Sequence, residues 1–297
     1  MTLRSRISRS ARAAVASPNG VGWRSRWSIG AAVAVSVATL TSGYVVTAEP
    51  GSRADDYERL VQTFDGVYAS DSFTGPAGSS PSSRLWTPRL GGGGWGNKEL
   101  QKYTDDPANL ALDGHGNLRI TAMRTGRKYT SARIDTLGKL AVDSGLVAVR
   151  AKLPHRRGTL PAIWMLGADV EQVGYPESGE IDIVERTGQD TTYGLLGPHT
   201  DPRIRAPWKV QDAFATPLDE DFHTYWIHRR AGRVEFGVDG HSVAVITPSD
   251  LPKDAMWVMD APFFLVLNVA IGGRWPGDPG PGSLPATMLV DWVRVYL

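Results

Sequence analysis

The sequence contains no cysteine. That absence excludes a disulfide, a thiolate zinc site, a thiol nucleophile and a lipid-modified cysteine at one stroke. Stability must therefore come from core burial, and 297 residues are enough to bury a large core. Acidic residues are absent from the first 48 positions, which carry six arginines (Arg4, Arg6, Arg9, Arg12, Arg24, Arg26). Helical periodicity is scarce. No run shows convincing 3.6-residue periodicity, apart from a single turn of helix expected near 217–221. An internal repeat is also missing, which excludes a solenoid or propeller.

The formal charge of +1 hides an asymmetry. Without the six leading arginines, 26 basic residues face 31 acidic ones, a net of −5. A mildly acidic body argues against nucleic acid or an anionic membrane as partner, and a neutral polysaccharide suits it. No obligate protein partner is evident, and a monomer is expected. Residues 27–48 are uncharged, rich in Ala, Val, Ser and Thr, and end in Val46-Thr47-Ala48 before the first acid, Glu49. Residues 1–48 are read as a secretory signal peptide cut after Ala48. The alternative is a retained signal anchor, since ~20 apolar residues span a bilayer. With basic residues held inside, either reading puts the body outside, as a secreted or cell-envelope protein.

Residues 49–67 are polar and weakly patterned, and are read as a linker or an extra edge segment. Residues 68–297 are read as one domain, punctuated like a β protein. Gly, Pro, Ser and Asp clusters separate short apolar runs at 118–123, 146–153, 162–166, 181–184, 222–228, 234–238, 263–271 and 288–297. The pair Asp239-Gly240 predicts a hairpin turn. Many short strands between turns argue for an all-β sandwich.

Glu180, Asp182 and Glu185 fall within six residues, between Ile181, Ile183 and Val184. On a regular strand Glu180 and Asp182 share a face, with the isoleucines on the other. Glu185 is one residue out of phase, so a β-bulge at Ile183-Val184 is needed to bring it back. Clustered carboxyls suit glycoside hydrolysis, in which one attacks the anomeric carbon and another protonates the departing oxygen. Taken alone, such a run also suits an acidic surface strand or a calcium-binding edge.

The segment Ser178-Gly179-Glu180-Ile181-Asp182-Ile183-Val184-Glu185 resembles the signature of glycoside hydrolase family 16 in its bulged, laminarinase-like form. The similarity runs from about Phe73 to Leu297. It includes Trp95-Gly96-Asn97-Lys98-Glu99-Leu100-Gln101, Tyr129-Thr130-Ser131-Ala132-Arg133, Pro161-Ala162-Ile163-Trp164-Met165-Leu166, Trp275-Pro276-Gly277 and Val290-Asp291-Trp292-Val293-Arg294-Val295-Tyr296. The resemblance implies a lectin-like jelly-roll sandwich of two bent antiparallel sheets with a sugar-binding cleft on the concave face. It further implies endo-acting, retaining hydrolysis of β-1,3 or mixed β-1,3/1,4 glucan. Glu180 would then be the nucleophile, Glu185 the general acid/base and Asp182 their electrostatic partner. No cofactor is implied for catalysis.

Trp164 and Trp95 are candidates for stacking on sugar rings, and Trp275 for a contact at the cleft rim. Asn97, Arg133 and Asn268 could bind sugar hydroxyls or equally fix loops. Tyr175 keeps an aromatic face where relatives carry tryptophan, and Leu160 replaces a tryptophan before Pro161-Ala162. His199 falls after Gly197-Pro198, where relatives place a histidine before that pair. Some relatives hold a structural calcium through an aspartate matched by Asp291, although Ser72 stands where an acid is common. The altered subsites keep a second reading open: another β-linked wall polymer such as a galactan, or glycosyl transfer. A glucan-binding protein without hydrolysis is a third.

Overall fold

The computed structural model describes residues 55–188, 191–198, 206–207, 218 and 221–297. The expected leader, His199 and most of the turn near 217–221 lie outside them. In chain order the elements begin with helix α1 (Asp56–Val61) and strands β1 (Ala69–Asp71), β2 (Thr87–Pro88), β3 (Lys102–Tyr103), β4 (Leu110–Leu112) and β5 (Leu118–Thr125). Then come β6 (Lys128–Ser131), β7 (Arg133–Asp135), β8 (Gly145–Lys152), β9 (Thr159–Gly167), helix α2 (Val170–Val173) and β10 (Glu180–Arg186). β11 (Thr191–Leu196), β12 (Ala206–Pro207), β13 (His223–Arg230), β14 (Arg233–Val238), β15 (His241–Ile246), β16 (Phe263–Ile271) and β17 (Ala286–Tyr296) complete the set.

The strands form two sheets. One has the order β15-β14-β13-β8-β17-β5-β6-β3, with β1 on β17 and β4 on β5. The other runs β12-β11-β10-β9-β16-β7-β2. Pairing is antiparallel except between β3 and β6. This is the two-sheet jelly-roll sandwich that the sequence led us to expect. Each of the eight apolar runs lies in a strand or overlaps one, and Asp239-Gly240 is the two-residue turn joining β14 to β15, with Asp239 at φ 47°.

The core lies between the sheets and takes alternate residues from each, such as Ile163 and Met165 of β9 against Val147 and Val149 of β8. β16 departs from alternation: all nine of its residues are buried, because a central strand is covered on both sides. Arg229 of β13 is buried at the end of this core. It donates to the carbonyls of Val142 (2.8 Å), Met259 (2.5 Å) and Ala261 (2.7 Å), and lies over the Phe263 ring. Burial pushes its guanidinium down to about 10.

The segment 49–67, expected as a linker or edge segment, instead contributes α1. Its apolar residues Tyr57, Leu60, Val61 and Phe64 fall at helical spacing. They cover Leu146, Ala148, Trp226 and Tyr296 on the outside of the ten-stranded sheet. The Asp55 side chain accepts from the Glu58 N–H at the helix start. A single short turn flanked by acids gave too little period to stand out in the sequence.

Candidate active site

The six-residue acidic run forms β10, and its register contains the expected irregularity. Against β9, Asp182 pairs with Trp164 but Val184 pairs with Ile163. Against β11, Asp182 pairs with Gly194 and Glu185 with Thr192. One extra residue is thus accommodated at Ile183-Val184, and Ile181, Ile183 and Val184 all enter the core. Glu185 consequently returns to the face of Glu180 and Asp182. Asp182 and Glu185 are buried, at 2% and 7% exposure, and Glu180 is half-buried.

Directly opposed residues of antiparallel strands share a face, so the register maps the cleft floor. One row reads Thr192, Glu185, Ala162, Asn268 and Arg133 across β11, β10, β9, β16 and β7. The adjacent row reads Gly194, Asp182, Trp164, Val266 and Asp135. Trp164 leaves β9 opposite to Ile163 and Met165, as the alternation required. Its indole N–H donates to Asn268 Oδ1 at 2.7 Å, so Asn268 fixes that ring.

Arg133 lies between two indoles, 4.6 Å from the centroid of Trp164 and 4.9 Å from that of Trp95. Burial lowers its pKa, while Tyr103, Asp135, Glu99 and Glu180 act to raise it. Its Nε is buried without a hydrogen-bond partner among the described residues. Glu99 closes this end of the cleft. It accepts from Gln101 Nε2 at 2.6 Å and from the Tyr103 hydroxyl at 3.4 Å, and burial raises its pKa. Gln101 in turn accepts from the Ile271 N–H, tying the loop to β16. Glu99, Gln101 and Tyr103 were not singled out from sequence. Their two-residue spacing behind Asn97 was the available signal, since alternate residues of an extended segment share a face.

The remaining candidates occupy the rim and the outside. Trp95, at φ 45°, packs on Tyr103 as well as Arg133. Asn97 serves the loop: its side-chain oxygen and its carbonyl both face the Arg274 N–H, at 3.2 and 3.0 Å. Trp275 and Tyr175 are exposed in separate loops, after β16 and after α2. Leu160, the substituted position, shares the face of Trp164 and is buried. Asp291 is elsewhere. It accepts from Arg150 Nη1 at 2.5 Å, at an irregularity where β17 meets β8. The cation at this carboxylate is a guanidinium, and no cluster of three or more His, Asp or Glu able to hold a metal occurs among the described residues. Asp291, matched to the aspartate through which some relatives hold calcium, is thus engaged by Arg150 in this structure.

Residues 95–294 match the family described as Glycosyl hydrolases family 16. The chain belongs to that family. Within family 16 it is similar to a Beta-glucanase of Rhodothermus marinus, 38% identical over 240 residues, covering 73% of this chain and 80% of the relative. Among solved structures it is similar to the laminarinase catalytic domain of Thermotoga maritima, with a TM-score of 0.70 and 35% identity over 77% of this chain and 97% of that one. The endo-beta-1,3-glucanase of Pyrococcus furiosus gives a TM-score of 0.70 at 34% identity, covering 78% and 94%. As a family 16 protein the chain is a glycoside hydrolase, and that chemistry needs no cofactor.

Proposed function

We propose that this chain is an exported, retaining endo-β-glucanase that cuts β-1,3-linked or mixed β-1,3/1,4 glucan. The observation that carries the reading is the β10 bulge, which gathers three carboxyl groups on one face beside Arg133 and Trp164. Glu180 attacks the anomeric carbon while Glu185 gives its proton to the departing oxygen. Water then opens the glycosyl-enzyme, its proton returning to Glu185 and the Glu180 carboxylate leaving the sugar. Asp182, buried between them, favours a state in which the three acids share protons unequally. The positive charge of Arg133 favours the ionised form of Glu180. The unspent donor of Arg133 and the Trp164 ring form the binding floor for neighbouring sugar units. Export rests on the basic, then uncharged N-terminal sequence and is tested by sequencing the N-terminus of the mature protein.

Reducing-sugar release from laminarin by wild type and Glu180→Ala tests the assignment. We expect robust release from the first and background from the second; background from both sinks the enzyme reading. Product anomers followed by NMR at early times must keep the β configuration if the mechanism is retaining. A second substrate reading draws on Leu160, whose buried side chain leaves an aliphatic group where relatives carry an aromatic floor. Cleavage of a galactan with none of laminarin would favour it, and sugar-elongated products would favour transfer.

A further inference from the structure

Thr192 is the side chain on β11 that faces the acid/base. The bulge creates this pairing, because a regular β10 would bring Val184 opposite Thr192 in place of Glu185. The next position along the same face, opposite Asp182, is Gly194, which has no side chain to intervene. Thr192 is 7% exposed, and its Oγ1 is buried without a hydrogen-bond partner among the described residues. A buried hydroxyl left unpaired is costly, whereas valine would fill the same strand position with the same shape and no such penalty. Directly opposed side chains have Cβ atoms about 5 Å apart, so a hydroxyl here reaches a carboxyl by rotation about one bond.

We propose that Thr192 is a positioning residue for Glu185. Its hydroxyl donates to the Glu185 carboxyl oxygen that does not carry the transferred proton. The inference rests on Glu185 being the acid/base. When Glu185 gives its proton to the departing glycosidic oxygen, negative charge develops on its carboxyl, and a donor hydrogen bond strengthens as that charge grows. In the second step the same bond holds the carboxylate in place while it takes the proton from water. A hydroxyl suits both states better than a lysine or arginine would, because a full positive charge would keep Glu185 ionised and unable to act as an acid.

Steady-state kinetics on laminarin across pH, with melting temperatures, for wild type, Thr192→Val and Thr192→Ser provide the test. Loss of the donor should lower kcat of Thr192→Val about tenfold, with KM changed by less than about twofold. The basic limb of the pH profile, which reports protonated Glu185, should move to higher pH, since the ionised form has lost a donor. The melting temperature should change little, because valine keeps the shape of the side chain and its packing. Thr192→Ser, which keeps the hydroxyl, should recover the rate and the limb. If valine is not accommodated, Thr192→Ala against Thr192→Ser gives the same contrast. An active wild type with unchanged kcat and basic limb in Thr192→Val overturns the role of Thr192 alone, as does an equal loss in both variants that follows melting temperature. A wild type as inactive as Glu180→Ala overturns the functional reading and this inference together.

Discussion

Glu99 shows how a single carboxyl in the cleft couples binding to acidity. Burial raises its pKa, opposed by donors from Gln101 and Tyr103 and by the charge of Arg133. The folded state therefore holds this proton more tightly than the unfolded chain does. The resulting stability is complete below the ordinary glutamate value of ~4.3 and is lost as pH rises through the raised value. Glu99→Gln removes that titration. Its melting temperature, relative to wild type, should improve progressively as pH is raised from about 4 to about 7, and thermal scans across that range check it. Residues at this scale were unevenly legible. Trp164 could be placed because it alternates with two core residues, Ile163 and Met165. Asn97, Asn268 and Arg133 could be named but not assigned, since whether an amide serves a sugar, a loop or an indole depends on contacts between distant segments. Glu99 stayed hidden because its two-residue spacing with Asn97, Gln101 and Tyr103 is short and follows a Gly-rich stretch that breaks any longer alternation.

β10 carries the main demand at the scale of an element: its length and its bulge must agree. Deleting Ile183 would make β10 regular without a bulge and leave Glu185 opposite Ala162, on the face of Glu180 and Asp182, so the bulge compensates for one extra residue. The deletion removes one aliphatic side chain from the core, so it should cost about 2–5 kcal/mol by chemical denaturation while hydrolysis of laminarin persists. The conservative Ile183→Val should lose only about 1 kcal/mol by chemical denaturation and stay active. The bulge was legible in the sequence because three acids and three aliphatics cannot satisfy a strict alternation. The loop end of the strand is under a similar constraint. Gly179 has φ 79°, and a Cβ added there would sit 2.7 Å from Val258 Cγ2 and 2.9 Å from Phe263 Cζ. Phe263 lies against Arg229, and Val258 precedes the two carbonyls that Arg229 holds, so the buried guanidinium supports the backbone from which Glu180 projects.

For the whole molecule, the two faces of the sandwich separate stability from catalysis. Tyr57 of α1 covers Trp226 on the outside of the ten-stranded sheet, while the carboxyls line the outside of the other sheet. Tyr57→Ala should therefore cost about 3 kcal/mol, read as a lower denaturation midpoint, with kcat on laminarin unchanged at temperatures well below melting. Chelation should be without effect. With Arg150 at the Asp291 carboxylate, EDTA is expected to leave both melting temperature and activity where they were. The fold class could be read from turn punctuation and strand runs, because both are local. The docking of α1 could not, since its apolar residues acquire meaning only against Trp226 and Tyr296, far along the chain.

The guanidinium held between Trp95 and Trp164 also has an optical consequence. An indole pressed against a cation emits differently from one packed among hydrocarbons, and Trp86 and Trp226, both fully buried, offer a steady background. A polymer settling into the cleft changes the surroundings of the first pair and leaves the second untouched. Occupancy can thus be followed from the chain's own emitted light, in real time and with no label attached.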